Sequence, residues 1–292
     1  MEKRVIGDSE LVLASDGSVY HLRLLPQDIA DTILLVGDPG RVELIGSLFD
    51  KIELKKHNRE FYTITGYYKG KRLTALSTGI GTDNIDIVIN ELDALVNIDL
   101  HSRTIKDEHT TLNFIRIGTT GSLQPDIPVD APVVAKVSLG FDNLLNFYAD
   151  RDKASDKDME EKFIEFIGWP DVLHRPYFVY SSDQLFDMIA HDMHYGITIA
   201  APGFYGPQGR YLRLQPLVPD LNERLRQFEY NGLRITNYEM ESSALYGLSR
   251  LLGHNALALC NVIANRFRKE FSPDYKKAIK NTIQKVLDRL TS

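Results

Sequence analysis

The chain has 292 residues, of which 43% are hydrophobic and 25% charged, the balance of a soluble globular protein. Its formal net charge is −6 and no basic tract occurs, so the composition argues against a nucleic-acid partner. Cys260 is the only cysteine, which excludes an intramolecular disulfide and a cysteine-based zinc cluster. No apolar run has the length of a signal peptide or a membrane span, so we expect a cytoplasmic protein with no membrane partner.

Apolar strand-like runs alternate with helix-like segments, a pattern typical of a single α/β domain built on a central sheet. We expect that domain to cover residues 1–292. The first predicted strand, Thr32–Val36, runs directly into the turn sequence GDPGR at 37–41. The second, at 72–77, runs into STGIGTDN, and apolar residues then recur at helical spacing from 85 to 96.

The stretch at 112–122, LNFIRIGTTGS, has the clearest chemical character. An apolar run containing Arg116 breaks into GTTGS, which predicts a buried strand that ends in a glycine-hydroxyl turn. Glycines let backbone N–H groups approach an anion, and threonine and serine hydroxyls add donors. Such a turn at the carboxyl edge of an α/β sheet is a typical ligand site.

Later segments complete the alternation. We predict strands at 131–137, 197–200 and 256–263, and a proline- and glycine-rich loop at 201–210. The charged segment 150–162 is predicted as a solvated helix or loop face. A helix is predicted at 238–252, followed by Gly253 as its C′ residue. A last helix, with Ser272 as N-cap and Pro273 at its first position, is expected to serve packing.

Three strand-to-turn junctions share one chemical theme. Two carry an arginine, Arg41 or Arg116, and all three carry glycines, so we expect their loops to converge on an oxyanion. A dinucleotide fingerprint is incomplete because Asn84 occupies its third glycine position. His191 and His194 lack a third ligand in the sequence, so no metal site is predicted.

The stretch NYEMES at 237–242 brings two carboxylates close to the start of an apolar helix. A carboxylate there can accept hydrogen bonds from helix-terminal N–H groups or from the vicinal hydroxyls of a sugar. On helical spacing Glu239 and Glu241 lie about 200° apart, so we expect only one of them to face a site.

Together, GDPGR, STGIG, RIGTTG, FYGPQGR and NYEMES resemble the nucleoside phosphorylase-I family, specifically its uridine phosphorylase branch, from about His21 to Arg266. The resemblance implies an α/β/α fold around a mixed, barrel-like sheet. It also implies a homodimer at least, with a hexamer built as a trimer of dimers left open, and an active site completed by the neighbouring subunit.

The resemblance assigns the phosphate and ribose positions. For phosphate these are Gly37, Arg41, Arg116 and Thr119, with Gly118 in support and Arg59 reaching in from the partner subunit. For ribose they are Met240 and Glu241, with His21 lent by the partner subunit to the 5′-hydroxyl. Glu239 is then expected to face away from the site.

Within the loop at 201–210, residues 203–210 carry the implied base preference. Gln208 and Arg210 resemble the uracil-reading pair, Phe204 matches the aromatic residue that packs the base, and Arg266 resembles the arginine that supports this loop. A glutamine amide offers a donor and an acceptor, and an arginine can stabilise negative charge on departing uracil. Purine-cleaving relatives place an aspartate where this chain reads Ile263 to Arg266 without one.

The implied reaction is reversible phosphorolysis of uridine in pyrimidine salvage, with inorganic phosphate as co-substrate and no cofactor. Three alternatives stay open: a purine or broad-specificity nucleoside phosphorylase, an AMP or methylthioadenosine nucleosidase, and a nucleoside-binding protein without turnover. The segment 184–203 is longer than the family pattern. Asn84 replaces a small hydroxyl residue near a monovalent-cation position where Glu60 is retained, so no potassium site is carried over.

Overall fold

The computed structural model describes residues 3–292, and in that range it shows an α/β protein. The strands are β1 (Thr32–Val36), β2 (Lys51–Asn58), β3 (Phe61–Tyr68), β4 (Lys71–Ser77), β5 (Ile98–Asp99), β6 (Thr104–Ile105), β7 (Asn113–Ser122), β8 (Pro132–Gly140), β9 (Tyr177–Tyr180), β10 (His194–Ala200), β11 (Glu229–Tyr230), β12 (Leu233–Glu239), β13 (Asn255–Asn265) and β14 (Glu270–Phe271). The helices are α1 (Pro39–Gly46), α2 (Thr82–Asn97), α3 (Arg151–Ala154), α4 (Lys157–Ile167), α5 (Asp183–Ile189), α6 (Leu221–Gln227), α7 (Ser242–Leu252) and α8 (Tyr275–Leu290).

Five strands close into a mixed barrel. β7 pairs in parallel with β13 and antiparallel with β12, β10 lies between β12 and β8 with both pairs parallel, and β8 returns antiparallel to β13. The sheet continues from β7 through β1, β4, β3 and β2. The expected α/β/α class with a mixed, barrel-like sheet is therefore confirmed.

Side-chain alternation along β1 places apolar residues in both layers of the core. Ile33 and Leu35 pack in the cluster that includes α2 and α7, whereas Leu34 and Val36 pack in the cluster that includes α1 and α8. All four are fully buried, and burial of each such side chain is worth about 1.5–3 kcal/mol. A strand buried on both faces reads as a continuous apolar run, which is why β1 is evident in the sequence.

The turn predicted at 118–122 is wrong, because β7 continues through these residues to Ser122. Gly118 pairs with Cys260 and Ser122 with Asn265, so the backbone of this segment belongs to the barrel. The glycine-hydroxyl sequence therefore lies along a strand, and its side chains alternate between the two faces of that strand.

The predicted start of the helix at 238 is also wrong. Tyr238 and Glu239 end β12, and α7 begins at Ser242 because the Glu239 carboxylate accepts hydrogen bonds from the N–H groups of Glu241 and Ser242, at 2.9 Å each. This local capping competes with continuation of a helix toward the N-terminus. The predicted C-terminal glycine holds, since Gly253 adopts a φ of 78° after α7.

Two further details differ from the sequence predictions. The last helix is capped by Asp274, whose side chain accepts from the Lys277 N–H, rather than by Ser272. The charged segment 150–162 forms α3 and part of α4, but it is not wholly solvated, because Arg151 and Glu160 are buried and form an ion pair at 2.9 Å. Within residues 3–292, no helix is long and apolar enough to cross a membrane.

Candidate active site

A cavity of about 530 Å³ opens beside β7, where β1, β4, β12 and β13 reach their carboxyl ends. The carboxyl edge of an α/β sheet is where ligands bind in such folds. Ten residues predicted for the site line this cavity: Gly37, Arg41, Arg116, Gly118, Thr119, Phe204, Gln208, Arg210, Met240 and Glu241. The fold thus brings together segments as far apart in the chain as Gly37 and Glu241.

Arg41 enters the cavity from the first turn of α1. The Asp38 side chain caps this helix by accepting from the Gly40 N–H at 2.9 Å, and Arg41 donates to the Ile117 carbonyl at 3.1 Å. Burial, followed by the positive charge of Arg116, lowers the pKa of Arg41 from its ordinary value. Two arginines that repel each other in one cavity are suited to an anion bound between them.

Arg116 is the most constrained cation of the site, with 4% of its surface exposed. It forms an ion pair with Glu241, and its Nη1 lies 3.9 Å from a Glu239 carboxylate oxygen. Burial alone would lower the pKa of Arg116, but these two carboxylates raise it above its ordinary value. Its Nε is buried and has no hydrogen-bond partner among residues 3–292.

Gly118 provides the room that Arg116 needs. A Cβ atom at Gly118 would lie 2.5 Å from Arg116 Nη1 and 2.8 Å from Cys260 Sγ, closer than real Cβ contacts allow. The requirement for glycine therefore comes from close approach of the guanidinium, and not from a turn. Burial raises the pKa of the Cys260 thiol to about 12, consistent with the inert packing role expected for it.

Glu239, which the resemblance implies faces away as a structural residue, lines the cavity, while its carboxylate oxygens accept from the N–H groups and the Ser242 hydroxyl at the start of α7. It ends β12, and Glu241 is the N-cap of α7, so helical spacing does not separate them and both line the cavity together with Met240. Burial and the neighbouring Glu241 charge raise the pKa of Glu239 to about 7. Glu241 also accepts from the Gly81 N–H at 2.7 Å, which ties the STGIG turn to the carboxylate.

At the other end of the cavity, the loop at 201–210 holds Gln208 between two arginines. Gln208 Oε1 accepts from Arg210 at 2.6 Å and from Arg266 at 2.7 Å, and Arg266 also donates to the Gln208 carbonyl at 2.6 Å. The Arg210 guanidinium lies 3.6 Å from the centre of the Phe204 ring. Burial, followed by the positive charge of Arg210, lowers the pKa of Arg266 to about 10. A cationic, hydrogen-bonding surface next to an aromatic ring results.

His21 and Arg59, the two residues predicted to serve a neighbouring subunit, lie outside this cavity. His21 Nδ1 is 2.6 Å from a Glu91 carboxylate oxygen, and the Asn58 side chain donates to the His21 carbonyl at 2.7 Å. Arg59 lies 5.7 Å from the ring centre of Tyr20, the residue that precedes His21. The two residues therefore occupy one region of the surface, and neither completes the cavity of its own chain.

Several lining residues were not identified from the sequence. Tyr238 could have been assigned to the site because it belongs to the NYEMES motif. Ile263 and Phe271 are apolar residues that no motif distinguishes from the core. At the position compared with a cation site, a Cβ on Gly79 would lie 2.5 Å from the Asn84 amide nitrogen and 3.2 Å from the Glu60 side chain. The amide of Asn84 thus occupies the space beside Glu60.

A separate cluster of Asp93, His109 and His254 has ligand atoms within 4.8 Å of one another. His254 Nδ1 accepts from the Leu112 N–H at 3.1 Å, so the proton of the neutral ring is on Nε2, which lies 3.1 Å from Asp93. His109 Nε2 lies 2.8 Å from the Leu252 carbonyl. These hydrogen bonds give the cluster a structural explanation as a link between α2, β7 and the end of α7.

Comparison with known proteins agrees with this geometry. The family model described as the phosphorylase superfamily matches residues 31–291. Curated uridine phosphorylases of Thermococcus kodakarensis and Escherichia coli are each 31% identical, over 262 and 264 residues, covering 88% of this chain and 80% and 89% of their own lengths.

Among solved structures, a Trypanosoma brucei nucleoside phosphorylase, described as showing uridine phosphorylase activity, superposes with a TM-score of 0.86 at 32% identity, covering 96% of this chain and 99% of that one. The similarity thus includes the whole cavity and the elements that build it. The chain belongs to the phosphorylase superfamily.

Proposed function

We propose that this protein is a uridine phosphorylase, which converts uridine and inorganic phosphate reversibly to uracil and α-ribose 1-phosphate. The observation that carries the proposal is a single cavity with an arginine pair at one end, a buried carboxylate in the middle and a Gln208–Arg210 pair at the other end. The named activity of the relatives supports the same reaction. No cofactor is needed, because phosphate itself is the nucleophile.

Phosphate occupies the end of the cavity formed by Arg41, Arg116 and Thr119. Bound there, it attacks C1′ of the ribose from the face opposite the base, and the sugar acquires oxocarbenium character as the glycosidic bond breaks. Glu241, held by Arg116 and by the Gly81 N–H, accepts hydrogen bonds from the ribose hydroxyls, while Met240 packs against the sugar. Fixed charges and positions supply the catalysis, without a covalent enzyme intermediate.

Uracil leaves at the Gln208–Arg210 end. Negative charge that develops on the base as it departs is stabilised by the Arg210 guanidinium, which lies against the Phe204 ring. The side-chain oxygen of Gln208, Oε1, already accepts hydrogen bonds from Arg210 and Arg266. The side-chain NH₂ group is therefore the part of Gln208 that donates to a uracil carbonyl. The absence of an aspartate at 263–266 removes the acid that a purine leaving group would use.

The complete site includes His21 and Arg59 of a second subunit, so the active form is at least a homodimer. Support comes from their position, since both lie together on one surface and outside the cavity of their own chain. In the dimer, Arg59 of the partner subunit adds a third cation for phosphate, and His21 of the partner subunit meets the ribose 5′-hydroxyl.

The test is uridine cleavage with and without inorganic phosphate, followed by uracil absorbance and by detection of ribose 1-phosphate. Phosphate-dependent formation of both products is expected. Uracil released without phosphate would make the protein a nucleosidase, and uridine bound without turnover would make it a nucleoside-binding protein. Turnover of inosine or adenosine in place of uridine would mean that the base-reading residues are wrongly assigned.

A further inference from the structure

A second cavity, of about 710 Å³, adjoins the candidate active site. The two cavities share four lining residues, Asp38, Arg41, Thr119 and Ile263. Asp38, Arg41 and Thr119 belong to the phosphate end, whereas Phe204, Gln208 and Arg210 line the first cavity only. The second cavity therefore reaches the proposed phosphate position from a side of its own.

The first turns of α8 give this cavity its charge. Lys276, Lys277 and Lys280 line it and are exposed. Within the described range 3–292, no ammonium group of the three forms an ion pair or a hydrogen bond. The two lining carboxylates, Asp38 and Asp274, each cap a helix. With Arg41, the lining carries four positive and two negative groups in a chain of net charge −6.

These lysines do not stabilise the helix on which they lie. The N-terminus of a helix already carries partial positive charge, and Lys276 and Lys277 in the first turn oppose it. The Asp274 side chain caps this terminus, but no acidic residue lies within the first turn itself, so one carboxylate stands against two lysines. A local arrangement that costs stability without a packing gain is characteristic of a functional surface.

We propose that this lysine-lined cavity, the lysine vestibule, is a separate portal through which the inorganic oxyanion reaches Arg41. The inference rests on the proposed function for the identity of that oxyanion as phosphate. Positive charge in a concave surface raises the local concentration of an anion and steers it to the site. Because the vestibule does not meet the base-reading loop, phosphate can enter or leave while the nucleoside occupies its own part of the cavity.

The test compares two triple variants of equal charge. Lys276→Gln/Lys277→Gln/Lys280→Gln removes the vestibule charge. Lys153→Gln/Lys157→Gln/Lys162→Gln, at exposed positions on α3 and α4 outside both cavities, is the matched control. KM for phosphate and kcat/KM for uridine at saturating phosphate are measured at several salt concentrations.

The vestibule variant is expected to raise KM for phosphate about tenfold at low salt, with the difference from the wild type shrinking as the Debye length falls to about 8 Å at physiological salt. Its kcat/KM for uridine should match that of the wild type. A KM for phosphate equal to that of the control variant, or an equal loss for uridine, would overturn the proposal.

Calorimetric titration with inorganic phosphate in the absence of nucleoside separates this inference from the reaction. If the wild type failed to cleave uridine, the proposed function would fail, while weaker phosphate binding by the vestibule variant alone would still support the portal. If uridine phosphorolysis were intact and phosphate affinity equal in all three proteins, the portal alone would be wrong.

Discussion

The two ends of the candidate active site are built differently. At the phosphate and ribose end, Arg116 and Glu241 come from a strand and a helix cap and are 4% and 3% exposed. At the base end, Phe204 is 50% exposed and belongs to a loop that contains only a short 3₁₀ turn. Rigid elements hold charges in fixed positions, whereas a loop can change in sequence without disturbing the core. Under the proposed function, residues held by the barrel would carry out the reaction and residues of the loop would set the base preference.

The largest effect should come from breaking the buried ion pair at the rigid end. Arg116→Met leaves Glu241 buried without its partner, which is expected to lower the free energy of unfolding by about 3–5 kcal/mol and to abolish phosphorolysis. Denaturant unfolding and a uridine assay measure the two effects.

The double variant Arg116→Met/Glu241→Met separates the effect on the free energy of unfolding from the effect on phosphorolysis. Removing both charges should restore much of the lost stability without restoring activity, because no buried charge is left unpaired. Activity in either variant would show that Arg116 does not serve the reaction.

At the loop end, Arg210→Ala should impair the reaction without destabilising the protein. Arg210 is a preorganised group that stabilises the leaving base. Its loss is expected to lower kcat/KM for uridine roughly a hundredfold, which corresponds to about 3 kcal/mol of lost transition-state stabilisation. Tm should stay close to that of the wild type, since the Arg210 guanidinium donates to Phe204 and Gln208 of its own loop. Unchanged uridine turnover would refute the assigned role.

Glu239 gives the rigid end a pH dependence. With its pKa raised from 4.5 to about 7, the folded protein keeps a proton that the unfolded chain loses between these values. Stability from this group is therefore present below pH 4.5 and lost as the pH rises through 7, by on the order of 1–3 kcal/mol. The Glu239→Gln variant should lack this fall when unfolding is measured from pH 5 to 8. Parallel profiles for the two proteins would contradict it.

The smallest effect should follow from loosening the loop through Arg266. Arg266→Ala removes two hydrogen bonds to Gln208, and KM for uridine should rise about tenfold, corresponding to about 1.5 kcal/mol. Arg266→Lys should restore little, because one ammonium cannot reproduce the two-pronged contact. Full activity of the lysine variant would mean that charge alone supports the loop.

The sequence predicted most where one segment determines its own structure. Apolar runs located β1, β4 and β13 within a few residues, and the segments that carry Arg41 and Arg116 were expected to converge. It failed where strand pairing with a distant segment or a side-chain cap decides where an element ends or begins. Pairing with β13 extends β7 through GTTGS, and capping by Glu239 starts α7 later than its apolar pattern suggests.

Some residues that line the cavity could not be predicted from the sequence. Phe271 and Ile263 are ordinary apolar residues whose place in the cavity depends on how β13 and β14 pair. His21 and Arg59 were assigned only through the resemblance to a family. Composition and periodicity do not identify a residue that is proposed to act in a neighbouring subunit.

The most direct test of the account is the ratio of kcat/KM for uridine to that for inosine, measured at saturating phosphate. A cavity whose base end offers Gln208 and Arg210, with no acid at 263–266, should favour uridine by at least about a hundredfold, the discrimination expected when buried hydrogen-bonding groups would be left unpaired by the wrong substrate. A ratio near one, or a preference for inosine, would contradict the assignment of this loop to uracil recognition.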